Sequence, residues 1–188
     1  MARQYKPFSI TARAFGHPRK LYTPVTVVNL EADSCIAAAT VNGMWDTGAE
    51  VCLISRDLAA RLGCRFYRAI TAAGIGGEVS APTGFVYLSL LANGQLIDTI
   101  ASVVDQTSPT GEYSFIIGMD FIRKGALAIS STAIDTTLSF TIPSPEPIDF
   151  TRRPDVDASL LPLSDSRETP ATLYGPDALD LLFRDKPE

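Results

Sequence analysis

The stretch Val41-Asn42-Gly43-Met44-Trp45-Asp46-Thr47-Gly48-Ala49-Glu50-Val51-Cys52-Leu53-Ile54-Ser55 decides how the rest of the chain is read. One carboxylate, Asp46, stands between an apolar run and a Thr-Gly-Ala turn, and a second apolar, strand-like run follows. A charged group between two such runs is costly to bury unless polar neighbours hold it. The residues after it suit that task. Gly48 permits close backbone approach that a side chain would block. Thr47 brings a hydroxyl that both donates and accepts, and Ala49 keeps the next position open. Taken alone, the pattern also fits an Asx turn in which Asp46 only caps a loop.

Working outward, β-rich segments alternate with turn signals. Residues 21–30 suit a strand, which Pro24 would confine to a sheet edge or a strand start. Residues 34–41 form the next strand after a turn at 31–33, and Asn42-Gly43 reads as a turn delivering the chain to Trp45 and Asp46. Residues 56–62 carry Leu58 and Leu62 four apart, between Ser55 as N-cap and Gly63 as C′ residue, which predicts one short helix. Residues 66–73 and 78–91 flank Gly74-Ile75-Gly76-Gly77, a β-hairpin with a glycine-rich tip. A phosphate loop is disfavoured there because no Lys-Ser/Thr pair follows. Asn93-Gly94 turns the chain into a strand at 96–104, and 105–114 is a polar loop. Phe115-Ile116-Ile117-Gly118 is a short buried strand, 119–124 a helical turn or two stopped by Gly125, and 126–130 and 138–143 are closing strands. Short strands at close spacing with one or two small helices predict a mainly β fold, a compact barrel.

Composition narrows the function. The chain of 188 residues is 46% hydrophobic and 20% charged, an ordinary globular balance with room for one core. No apolar run is long enough to cross a bilayer, and no apolar segment follows the basic N-terminal residues, so neither membrane span nor secretory signal is expected. Three cysteines, Cys35, Cys52 and Cys64, are odd in number and lack C-x-x-C spacing. They read as free thiols in a reducing, cytoplasmic setting. With His17 the single histidine, neither a Ser-His-Asp triad nor a multi-His metal centre is expected, and no metal or cofactor is called for. Net charge is −5, which argues against nucleic acid as main partner. Residues 1–20 form a basic arm holding Arg3, Lys6, Arg13, Arg19 and Lys20. Residues 144–188 form an acidic tail holding seven of the thirteen prolines, with the composition of a largely disordered segment. Within it, residues 177–183 after Pro176 are a candidate amphipathic helix. The domain proper is expected over 21–143.

Asp46-Thr47-Gly48-Ala49 between apolar runs resembles the active-site turn of retropepsin-like (retroviral-type) aspartic proteases. Gly74-Ile75-Gly76-Gly77 is similar to that family's flap tip. Phe115-Ile116-Ile117-Gly118 is similar to its apolar-apolar-Gly element, with the short helix at 119–124 after it. The resemblance implies a closed retropepsin-like β-barrel of a single lobe, with Ile116, Ile117 and Gly118 supporting the turn from behind. It implies an aspartic endopeptidase in which Asp46 is catalytic and Thr47, Gly48 and Ala49 shape the active-site turn. Gly74, Ile75, Gly76 and Gly77 would close as a flap over an extended peptide or protein substrate. No membrane partner is implied.

Peptide hydrolysis needs one group to take a proton from water and another to donate one, a task two carboxylates divide well. This chain has one Asp-Thr-Gly-Ala turn. Asp135-Thr136-Thr137 is an internal candidate for a second, but Thr137 replaces the glycine and no second lobe follows, so Asp135 reads as a turn residue. A homodimer pairing two copies of Asp46 across a two-fold axis is therefore expected, with Thr47, by resemblance, bonding across that axis. The alternative is a non-catalytic peptide-binding or dimerisation module of the same fold. Viral members place Arg after the apolar-apolar-Gly element, paired with an Asp two places after the active-site Gly. Here those positions are Met119 and Glu50, so that ion pair cannot form, and Asp120 would instead cap the short helix. That departure, with Trp45 before Asp46, is closer to bacterial or cellular members than to viral ones.

Overall fold

The computed structural model describes residues 6–30, 36–74, 77–90 and 95–144. The chain divides into two units, residues 1–148 and 149–188, of which the second lies outside the described residues. The acidic tail with its candidate helix, Cys35, and the turns expected at 31–33 and 93–94 also lie outside them.

Among the described residues, ten strands and two short helices follow one another: β1 (Phe8–Phe15), β2 (Tyr22–Asn29), β3 (Ala37–Trp45), β4 (Cys52–Ser55), α1 (Arg56–Arg61), β5 (Arg68–Gly74), β6 (Gly77–Leu90), β7 (Ile97–Val104), β8 (Phe115–Ile117), α2 (Met119–Ile122), β9 (Ala126–Ser131) and β10 (Asp135–Ile142). The larger sheet runs β2-β3-β8-β4-β7-β6-β5, and an added pairing of β2 with β6 closes six of its strands into a barrel. β5 hangs from β6 as the outer strand of a hairpin, and β1-β10-β9 form a separate antiparallel sheet. The mainly β, closed-barrel, single-lobe expectation matches this architecture.

The core follows from sequence pattern. β10 alternates without a break, so Thr136, Leu138, Phe140 and Ile142 point inward while Thr137, Ser139 and Thr141 face outward. Val25, Val27, Ile54, Val86, Leu88, Leu90, Ile97, Phe115 and Ile117 fill the barrel interior. The helix after β4 forms as its sequence predicts: Ser55 accepts a hydrogen bond from the Leu58 amide, and Gly63 takes the left-handed φ of 60° just past the C-cap.

Three expectations need correcting. Residues 8–15 are not part of an arm but strand β1, paired along its whole length with β10. Alternating Phe8, Ile10, Ala12 and Ala14 supply an inner face that a reading by charge alone passes over. Asn42-Gly43 is not a turn: β3 runs straight through it to Trp45. Gly43 is there for closeness, since a Cβ would stand 2.7 Å from Val25 Cγ1 and 3.0 Å from Ile117 Cδ1. β2 is not an edge strand either, but its pairing with β6 begins only at Val25, so Pro24 faces one neighbour.

One aromatic cluster ties the smaller sheet to the barrel. Trp45, the last residue of β3, lies 5.0 Å from Phe140 of β10 and 6.4 Å from Phe121 of α2, ring centre to ring centre. Phe121 and Phe140 stack at 5.7 Å. The indole N–H donates to Thr23 Oγ1 at 2.9 Å, so the buried ring leaves no polar atom unsatisfied. Phe140→Ala is expected to cost about 3–5 kcal/mol by the usual penalty for truncating a buried aromatic. Because Trp45 is the one tryptophan, urea unfolding followed by its fluorescence reads both the stability loss and the change in its surroundings.

Candidate active site

The chain leaves the barrel wall at Trp45, turns through residues 46–51, and re-enters it at Cys52 as β4. Parallel pairing sets Trp45 opposite Ile117, and the ladder continues one step further because the Asp46 amide donates to the Ile117 carbonyl at 3.1 Å. Within the turn, Gly48 N–H donates to Asp46 Oδ1 at 2.8 Å and Ala49 N–H to the Asp46 carbonyl at 3.3 Å. The carboxylate thus makes an Asx turn and is also held at the barrel edge, half-buried. Among the described residues, its second oxygen takes no hydrogen bond, and neither does the exposed hydroxyl of Thr47. Gly48 sits against the carboxylate: a Cβ there would lie 3.2 Å from Asp46 Oδ1.

The far side of the turn rests on β8 and α2. Met119 N–H donates to the Ala49 carbonyl at 2.8 Å and Asp120 N–H to the Glu50 carbonyl at 3.0 Å, so the first helical amides find partners in the turn. Gly118, the N-cap of α2, is pressed against the turn backbone. A Cβ would collide with the Val51 carbonyl oxygen and stand 2.9 Å from the Cys52 amide nitrogen. Ile116 and Ile117 are buried behind it.

Asp120 does not cap α2, whose N-cap has no side-chain hydrogen bond. Its carboxylate reaches back to the barrel. Oδ1 accepts from the Cys52 amide at 2.9 Å and the Cys52 thiol at 3.2 Å. Oδ2 accepts from the Ile100 amide at 3.1 Å and from the Thr99 hydroxyl. Cys52 Sγ in turn accepts from Gly118 N–H at 3.3 Å. In the sequence Cys52 reads only as a free thiol, and Thr99 carries no signal. The spacing of Asp120 two places after Gly118 was the one available signal.

The other predicted residues fall as follows. Gly74 and Gly77 face each other at the end of the β5–β6 hairpin, while Ile75 and Gly76 lie outside the described residues. Asp135 is the first residue of β10, where it accepts from Thr132 Oγ1 at 2.6 Å and pairs with Arg13 at 3.4 Å. Trp45 is packing, as its buried ring shows.

A family model described as "gag-polyprotein putative aspartyl protease" matches residues 32–124, which contain the turn, the hairpin, β8 and α2. The fold is retropepsin-like. It is similar to that in the crystal structure of a retropepsin-like aspartic protease from Rickettsia conorii, at 13% identity and TM-score 0.47, over 75% of this chain and 99% of that one. It is also similar to EIAV protease complexed with the inhibitor HBY-793, at 24% identity and TM-score 0.40, over 55% of this chain and 86% of that one. No curated protein matches the sequence. Among the described residues, no helix is long and apolar enough to cross a membrane.

Gly118→Ala is expected to destabilise the fold by about 1–3 kcal/mol, the usual cost of overpacking, and urea unfolding measures it. The two described thiols are poor nucleophiles. Burial pushes Cys64 up to about 11, and burial, with the Asp120 charge next, pushes Cys52 higher still. At pH 8 in a Cys35→Ser background, iodoacetamide should label the folded protein at least about tenfold more slowly than the urea-unfolded chain. Because both folded values lie above the unfolded ones, the stability carried by these thiols is whole below about pH 8.5 and falls as pH rises towards 11.

Proposed function

We propose that the protein is an aspartic endopeptidase that works as a homodimer, with Asp46 of each copy forming the catalytic pair. The observation that carries this reading is the setting of Asp46. One of its oxygens is fixed by Gly48 N–H, the other is unbonded among the described residues, and the main chain is locked to β8. A carboxylate held that way can meet a second one without first giving up a structural role. Asp135 supports the same view from the other side, since Thr132 and Arg13 occupy it at the start of β10. The partner carboxylate is therefore sought in a second copy.

In this mechanism two carboxylates roughly 3 Å apart share one proton, because ionising both is costly. The ionised one takes a proton from water while the protonated one polarises the scissile carbonyl. Thr47, exposed at the edge of the turn, would bond to the partner's turn and lock the pair. Substrate would lie as an added strand between the Gly48 carbonyl and the tip at Gly74, Ile75, Gly76 and Gly77, and closure of that tip would exclude water. Free thiols at Cys52 and Cys64 fit a reducing compartment, the basis for reading the protein as cytoplasmic.

Asp46→Asn should lower peptide-library cleavage by at least about a hundredfold, the scale of lost acid–base catalysis, with the unfolding midpoint little changed. Specific activity of wild type should rise with protein concentration in step with the dimer fraction from light scattering. Equal cleavage by mutant and wild type would sink the mechanism. A folded dimer that binds extended peptides, never cleaves them and shows no activity for a pepstatin-type inhibitor to block would instead be the non-catalytic module.

A further inference from the structure

We infer that Asp120 is the positioning residue of the catalytic turn, acting through Cys52 and Thr99 in place of an ion pair between residues 50 and 119. The inference rests on the protease reading of Asp46 for its effect on rate, but not for its effect on structure. The turn has two ends. Its entry is fixed by the Asp46 amide on the Ile117 carbonyl. Its exit is where β4 begins, at Cys52, paired in parallel with Ala101. The two amides at this point, Cys52 N–H and Ile100 N–H, both end on the Asp120 carboxylate, one on each oxygen. The carboxylate therefore continues the β4–β7 ladder past its last residue pair, as a strand carbonyl would.

The same residue grips the middle of the turn through its backbone, by its amide on the Glu50 carbonyl. Cys52 closes the loop, since its thiol donates to Asp120 Oδ1 and its sulfur accepts from Gly118 N–H. Asp120, Cys52 and Gly118 thus form a ring of hydrogen bonds that fixes where residues 49–52 sit relative to β8. β8 in turn fixes Asp46. Every donor reaching the carboxylate needs an acceptor. An ionised carboxylate has acceptor sites on both oxygens, whereas an amide of the same shape turns one of them into a donor facing two donors. Asp120→Asn thus keeps volume and removes the function.

The test measures rate per active site and local hydrogen exchange together. Active sites are counted by titration with a pepstatin-type inhibitor, so that unfolded molecules are excluded. For Asp120→Asn we expect kcat per titrated site at least tenfold below wild type, with KM within twofold. Amide exchange at Ala49, Cys52, Ile100 and Gly118 should quicken at least tenfold, while that at Val27 and Leu88 in the barrel wall stays within twofold. Thr99→Val, which removes one donor and leaves the carboxylate, should move the same quantities in the same direction by a smaller factor, and Thr99→Ser should restore them. If Asp120→Asn fails to fold, the Thr99 pair decides alone. Unchanged exchange at Cys52 and Gly118 overturns the inference, and so does a uniform rise through all strands, which would mean a general structural role. Should wild type cleave nothing, the protease reading fails while the exchange pattern still decides the brace.

Discussion

The structure depends on the close approach of Gly118 to the backbone of Val51 and Cys52. A turn that carries a half-buried carboxylate at the end of a buried strand must find partners for its own main-chain groups, because unpaired buried N–H and C=O groups are expensive. With a side chain at 118, the strand β8 and helix α2 would stand further off. The bonds from Met119 and Asp120 amides to the Ala49 and Glu50 carbonyls would then lengthen or break. Contact at one residue without a Cβ is thus what lets a short strand and a one-turn helix hold six residues of turn. The same logic recurs at Gly43, whose missing side chain lets β2 and β8 close on β3 just before the turn begins.

The turn is also tied to a sheet that is not part of the barrel. Trp45 precedes Asp46 directly, and its ring packs on Phe140 of β10 and Phe121 of α2 while its N–H is spent on Thr23. An indole brings a large apolar area and a fixed polar tip, so it sets both depth and direction for the strand end. The three-stranded sheet is therefore mechanically connected to the site through one stacked cluster.

How much of this was legible in the sequence depended on whether the signal was local. The helix at 56–61 announced itself through Ser55, the Leu58–Leu62 spacing and Gly63, all within eight residues of one another. The barrel could be read from strand-length apolar runs and from the order of the turn, hairpin and apolar-apolar-Gly elements. Asn42-Gly43 misled because glycine after asparagine has two physical uses, a turn and a close approach, and only the partners at Val25 and Ile117 tell them apart. β1 was missed because its basic residues drew attention from its alternation, and its partner lies more than a hundred residues away. Asp120 carried a visible position but an invisible role. Nothing in a linear sequence says that Thr99 and Ile100 will lie beside it.

The lack of an ion pair between Glu50 and Met119 need not weaken the turn. Glu50 is exposed, and an exposed ion pair is worth at most about 1 kcal/mol and fades with salt. The arrangement here spreads the load over backbone amides on Ala49, Glu50 and Asp46, and over a single partly buried carboxylate that receives two amides, a hydroxyl and a thiol. Hydrogen bonds to a charged acceptor are stronger than neutral ones, and the thiol and hydroxyl also meet each other at 3.5 Å. These short, directional bonds fix the geometry of the turn within one chain.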